Sequence, residues 1–213
     1  LLVEQLTSAG YQFAFEPIRV RFKPTEATLQ QCEEAGTDFA QALRKARRVK
    51  PPVPQAASPV EQAVGRIVGS LGVVTVRRGD ASSAMLASWI SQASFNPPGL
   101  TVAVARDRAI ESLLFPGDHF VLNLLEEGRH LALMKHFLRP FGPGEDRFAG
   151  IETREAANGS PILTEALAYL ECRVASRMEA GDHWLVYCIA EAGNVFNLQG
   201  RTAVHFRTTG SHY

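Results

Sequence analysis

This sequence predicts a mainly β fold with helical insertions, a barrel rather than alternating β and α layers. Three observations carry that expectation. Beyond about residue 65, short apolar runs recur at 72–76, 84–89, 100–105, 120–124, 167–175, 184–195 and 203–207. Few helical patterns separate them, and the later runs are joined by short turns. Many short strands with few helices favour a closed sheet over a parallel doubly wound one.

The chain before that region reads differently. Over 11–22, Ile18, Val20 and Phe22 alternate with Arg19 and Arg21, the period of a strand. Lys23-Pro24-Thr25 breaks it. Thr25 suits a helix N-cap, and a helix then runs through Phe39, Ala40, Leu43 and Ala46, weakened in its middle by Gly36. Arg44, Lys45, Arg47 and Arg48 crowd its end, where cations complement the helix dipole. Such a cluster reads first as a solvated helix end, and only second as an RNA or membrane contact. Four prolines over 49–59 form a semi-rigid linker. The expected division is therefore 1–48, a linker at 49–59, and a second domain over 60–213. One strand and one helix bury too little to fold alone, so the first segment needs a partner surface.

Within the second domain, a short helix at 59–67 leads to the strand at 72–76. Residues 77–80 are turn-like. Apolar strands at 84–89 and 100–105 flank Pro97-Pro98, and Trp89 and Phe95 are expected core anchors. A short helix at 110–114, a strand at 120–124, a helix at 128–138 and a loop at 140–146 precede the late strands.

Composition excludes several classes. A 46% hydrophobic content suffices for a core, and zero formal net charge argues against a nucleic-acid binder. No apolar run reaches the roughly 20 residues of a membrane span. Three scattered cysteines, Cys32, Cys172 and Cys188, form no disulfide framework or zinc motif and suit a reducing cytoplasm. The six histidines make no local metal-binding pattern. Neither a dinucleotide fingerprint between strand and helix nor a P-loop is present. Leu1-Leu2-Val3 is followed at once by Glu4, unlike a signal peptide. The chain begins without Met and reads as a piece of a longer polypeptide.

Two stretches carry candidate chemistry. Residues 84–108 combine small residues, hydroxyls at Ser88, Ser91 and Ser94, the proline break and paired arginines Arg106 and Arg108. Small residues let a planar ligand approach the backbone, hydroxyls bind sugar or phosphate oxygens, and arginine neutralises phosphate. Equally, the serines can satisfy strand ends, and the arginines can be surface charges on one strand face. Gly181-Asp182-His183 before the apolar run at 184–195 places His183 at a strand mouth. There it can bind a ring edge or a carboxamide, or simply cap a hairpin with Asp182.

The pieces M-L-A-S-W-I-S-Q-A-S-F-N-P-P, L-T-V-A-V-A with R-D-R, F-V-L-N, N-G-S-P-I-L with L-E-C-R-V, and G-D-H-W-L-V-Y occur in order over about 65–207. Together they resemble the flavin reductase family, which has an FMN-binding split-barrel fold. The resemblance implies that Met85, Leu86, Ala87 and Ser88 contact the flavin ring and ribityl chain. It further implies that Ser94, Ala105, Arg106 and Arg108 serve the ribityl and phosphate end. Relatives often carry a threonine shortly after that strand; Ala109 and Ile110 stand here, which shifts the expected phosphate contact to Ser112 or the arginines. His183 is implied as the catalytic residue near the ring. Apart from the resemblance, Phe148 after Asp146-Arg147 is a less favoured candidate to approach the ring from the loop. Residues 18–43 resemble the last strand and helix of a flavodoxin-like domain. Flavodoxin end, linker and reductase in that order resemble the flavodiiron proteins of cyanobacteria, so 1–48 is expected to be a flavodoxin remnant.

What the resemblance implies is an NAD(P)H-dependent flavin oxidoreductase, passing hydride from nicotinamide C4 to flavin N5. The cofactor is FMN, with FAD as the alternative. The module would feed a diiron oxygen-reducing centre in a longer protein, as a cytoplasmic homodimer with neither a nucleic-acid partner nor a membrane span. Two other readings stand beside it: a split barrel that holds FMN or haem without catalysis, and an interaction domain docking a redox partner through the basic helix end.

Overall fold

The computed structural model describes residues 2–10, 13, 18, 20, 24–46, 57–79, 81–139, 141 and 145–210. Most of the expected strand at 11–22 and most of the linker at 49–59 fall outside the described residues, as do Asp80 and much of the loop at 140–146. Three helices open the chain: α1 (Leu2–Ser8), α2 (Glu26–Ala46) and α3 (Pro59–Val64). The α1 helix had no counterpart in the sequence reading. Thr25 caps α2 as expected, its Oγ1 accepting from the Thr28 N–H at 3.2 Å, and Gly36 does not interrupt the helix. Ser58 starts α3 with a reciprocal capping box: Glu61 N–H donates to Ser58 Oγ and Ser58 N–H to Glu61 Oε2.

The barrel is built from β1 (Gly69–Ser70), β2 (Gly72–Arg78), β3 (Ala81–Ala87), β4 (Ile90–Phe95), β5 (Pro98–Ala105), β6 (His119–Leu124), β7 (Thr153–Glu155), β8 (Pro161–Leu163), β9 (Ala168–Ala180), β10 (His183–Val195) and β11 (Val204–His205). A 3-10 turn at Ala109–Leu113 and the helix α4 (Leu131–Leu138) are the main insertions. Seven strands form one antiparallel sheet in the order β3-β2-β6-β9-β10-β5-β4. Its two edge strands, β3 and β4, are consecutive in the chain and separated by Ser88 and Trp89 alone. Such a link spans at most roughly 11 Å between its flanking Cα atoms, so the sheet must roll until its edges meet. The result is a split barrel, closed by a covalent step rather than a hydrogen-bonded ladder.

Alternation along the strands fills the interior. Leu100, Val102 and Val104 of β5 point inward with Val74, Val76, Phe120, Leu122, Val174 and Val186. The opposite face of β2 is also covered: Leu71 and Val73 pack with Leu133 and Phe137 of α4 and with Leu163. Coverage on both faces makes β2 a continuous apolar run rather than an alternating one. Asn123 of β6, fully buried, ties three strands together. Its Nδ2 donates to Val73 O (3.2 Å) and Thr75 Oγ1 (3.1 Å), and its Oδ1 accepts from Leu163 N–H (2.8 Å).

Several expectations need correction. The apolar run at 84–89 is not one strand; β3 begins earlier and stops at Ala87, and Ile90–Phe95 forms a separate strand. Phe95 is no core anchor: it is 87% exposed, at the β4–β5 turn. The 128–138 helix starts three residues later, at Leu131, because Glu126–Arg129 forms a turn with Gly128 at φ 82°. β7 and β8 were not foreseen; three-residue strands carry too little pattern. No helix among the described residues is long and apolar enough to cross a membrane.

Replacing Asn123 by Ala removes the side-chain partner of the Leu163 N–H and the extra bond to the Val73 carbonyl in a dry interior. Urea unfolding of Asn123→Ala should show a loss of about 2–4 kcal/mol, with the slope on urea unchanged.

Candidate functional site

The step from β3 to β4 is set by a neighbour without a side chain. Gly69 of β1 lies so close that a Cβ there would sit 1.7 Å from the Ser88 carbonyl oxygen. Beyond Ser88 the chain re-enters the sheet: Trp89 O accepts from Ala103 N–H at 3.0 Å, and Ile90 pairs with Val102.

A cavity of about 270 Å³ opens along this step. One wall is Met85, Leu86, Ala87 and Ser88; Arg108, Ala109 and Ile110 form another. Met134, Phe137 and Arg139 contribute from α4, Phe141 and Arg147 from the loop after it, His205 from β11 and Asp38 from α2. The wall of small side chains leaves backbone groups within reach of a flat ligand. The space is near the lower limit of typical ligand pockets, of the order that a fused ring system needs.

The sequence-derived residues divide. Met85, Leu86, Ala87, Ser88 and Arg108 line the cavity together; Ala105, the last residue of β5, is not in its lining. Arg106 pairs with Glu179 at 2.6 Å and lies over the Trp184 ring at 4.7 Å, away from the lining. Ser94 sits in the β4–β5 hairpin, at the far end of the strand from Ser88. Ser112 donates its hydroxyl to Ala109 O at 3.0 Å, inside the 3-10 turn. Arg106 and Arg108 both follow the end of β5, so they do not share a strand face. Phe148 packs on Phe137, one residue behind the lining, with ring centroids 6.1 Å apart.

His183 is buried at the start of β10 and its ring meets Trp89, centroids 4.7 Å apart. Its Nδ1 bonds the exposed Asp182 carboxylate at 2.7 Å. That bond and the histidine's charge hold the Asp182 carboxyl below its usual range. Gly181, at φ 65°, makes the turn that presents the pair. His183 therefore reaches the cavity through Trp89, which is itself in the lining.

Sequence reasoning missed Asp38, Arg139, Phe141, Arg147 and His205. Each comes from an element far along the chain, and none stands in a local motif. Arg147 is half-wrapped by carboxylates of α2: Asp38 Oδ2 lies 2.6 Å and Glu34 Oε1 3.7 Å from its guanidinium. Burial pushes the Glu34 carboxyl up; Ser83 and Arg147 oppose the shift and Asp38 adds to it. Burial, reinforced by Arg207, pushes the His205 imidazole below its ordinary 6.5.

Comparison with known proteins adds the following. Residues 64–210 match the family described as flavin reductase like domain. Diflavin flavoprotein A 6 of Nostoc sp. is 66% identical over 214 residues, covering 100% of this chain and 37% of that protein. Diflavin flavoprotein A 1 of Synechocystis sp. is 57% identical, covering 96% of this chain and 35% of that protein. The chain thus spans little more than a third of the length of these relatives. Among solved structures, the NADH:FAD oxidoreductase SgcE6 of Streptomyces globisporus superposes with a TM-score of 0.64 at 24% identity, covering 75% of this chain and 95% of that one. At that identity the likeness is one of fold.

Gly69→Ala should push Ser88 off its position and deform the cavity wall; ligand affinity should fall at least tenfold while unfolding remains cooperative. His205 is neutral when folded and its pKa is lowered from 6.5. Its contribution is complete above 6.5 and is lost as pH falls through the depressed value. Stability curves of His205→Gln should accordingly lose part of the decline seen in the parent just below pH 6.5.

Proposed function

The chain belongs to the flavin reductase-like family, and on that premise we propose that it is the NAD(P)H-dependent flavin reductase module of a longer flavodiiron protein. The observation that carries the reading is the cavity at the β3–β4 step, walled by the backbone of Met85–Ser88. Its size and small-residue wall fit a tricyclic ring. Bound flavin supplies the hydride acceptor, so the protein needs little acid–base chemistry of its own.

The chain's residues then position and exclude. The backbone of Met85–Ser88 would hold the ring, with the Ser88 hydroxyl as a group that could hydrogen-bond it. Trp89, flanked by His183 and by Arg207 at 4.9 Å, forms a rigid aromatic floor. His183 is a positioning residue that acts through this floor. Met134, Phe137 and Leu138 of α4 keep water from the other side.

We take the flavin to be FMN rather than FAD, since the enclosed space leaves no obvious berth for an adenosine half. The donor is a reduced nicotinamide nucleotide, docking from the open side in the cytoplasm. A homodimer is supported by exposed apolar side chains at Phe95, Ile67 and Phe206, which are 87%, 66% and 75% exposed. The relatives' length supports diiron and flavodoxin-like domains as the source of the electron acceptor, with 1–48 as the flavodoxin end. A non-catalytic flavin-binding barrel is the second reading, favoured by the seat of His183 behind Trp89.

Anaerobic addition of NADPH or NADH to the flavin-loaded chain should bleach its visible absorbance; unchanged absorbance at saturating donor removes the reductase claim. His183→Ala should lower turnover on the order of tenfold to a hundredfold, with flavin Kd shifted far less. Equal effects on both would mark His183 as structural and favour the second reading.

A further inference from the structure

Arginine is costly to bury without an anion. Arg147 is nearly buried, its side chain 11% exposed, and it lines the cavity. Its backbone is pinned, because the Arg147 carbonyl oxygen meets His136 Nε2 at 2.7 Å. Its guanidinium lies over the Phe141 ring at 5.0 Å, with Arg139 over the same ring at 4.0 Å. Arg139 spends its charge on Glu145 at the exposed rim. The anion that satisfies Arg147 is Asp38 of α2, buried and 2.6 Å away, with Glu34 beyond it.

Two of the three groups expected at a phosphate end are committed elsewhere: Arg106 to Glu179, and the Ser112 hydroxyl to its own turn. Arg108 remains in the lining. A ring seated against Met85–Ser88 shares its cavity with Arg108, Arg139 and Arg147, and Arg147 is the one whose guanidinium is fixed in place by largely buried carboxylates. From this we propose that Arg147 is the subsite for the phosphate of the bound flavin nucleotide, and that Asp38 occupies it as an internal stand-in anion until that phosphate displaces it. The assignment rests on the flavin reading above and deepens it. A carboxylate and a phosphate monoester present similar oxygens to a guanidinium fork, and one fork cannot serve both at full strength. Phosphate entry and α2 docking thus compete, because Asp38 brings the helix to the Arg147 end of the cavity.

FMN and riboflavin differ only in the phosphate, so fluorescence quenching of both by the full chain reads the subsite directly. Asp38→Asn should tighten FMN about tenfold and leave riboflavin within about twofold, a difference of one charge-assisted hydrogen bond. Arg147→Gln leaves Asp38 buried beside an amide and risks misfolding, so the paired variant Asp38→Asn with Arg147→Gln is the companion. It should bind FMN no better than riboflavin. Hydrogen exchange supplies a second readout: saturating FMN, but not riboflavin, should speed exchange in the middle of α2. An FMN preference that survives in the paired variant overturns the assignment, as does α2 protection that FMN leaves unchanged. A parent protein that binds neither flavin overturns the flavin reading itself, and this assignment with it.

Discussion

Two residues, Ser88 and Trp89, join the opposite edges of a seven-stranded sheet, and the architecture follows from how short that bridge is. A sheet of this breadth is free to remain open and twisted. Here it cannot, since β3 and β4 are tethered at a distance that only a rolled sheet satisfies. At the tether no ladder forms between the two edges. Polar backbone faces the gap, and Gly69 comes close enough to Ser88 to fix the path. The cavity is the space left by closure through a link rather than through hydrogen bonds. The same step that completes the barrel thereby creates its binding crevice.

Packing around this seam is uneven. On the inner side, β5 and β10 supply a dense apolar core with Val102, Val104 and Val186. On the outer side, α4 and the following loop lean over β2 and β3, with Phe137 and Leu133 against Leu71 and Val73. The Asn123 network, anchored between these layers, helps keep β2, β6 and β8 in register by side-chain bonds made in a dry interior. A rigid floor and a looser roof result, suited to a site that holds one ligand and admits another.

Much of this was legible in the chain, and the parts that were not share a cause. Apolar runs at 100–105 and near 167–195 marked the barrel strands, and the small residues of 84–88 marked the crevice wall. What escaped was long-range. Arg147 lies in an irregular loop, and its neighbour Asp38 lies more than a hundred positions earlier, on a helix whose pattern calls for a partner surface without any sign of which one. Arg106 looked equivalent to Arg108, two residues on. The end of β5 sends them apart, and Glu179 claims one of them. Phe95 looked like an anchor by residue type alone, yet a hairpin tip has nothing to bury it against. Local pattern reports elements and faces; it does not report which distant charge an element meets.

The cysteines illustrate a different kind of consequence. Cys172 and Cys188 are buried on neighbouring strands β9 and β10, each thiol donating to a backbone carbonyl, Leu170 O and Leu100 O respectively, and the nearby Cys188 thiol together with burial pushes the Cys172 thiol far up. Both are sealed from solvent and therefore from any electrophile arriving through it. Cys32, exposed, lies on α2. Nature has thus left a single addressable sulfur on the helix that leans over the crevice, so a maleimide dye attached to the unaltered polypeptide becomes a gauge of where that helix rests.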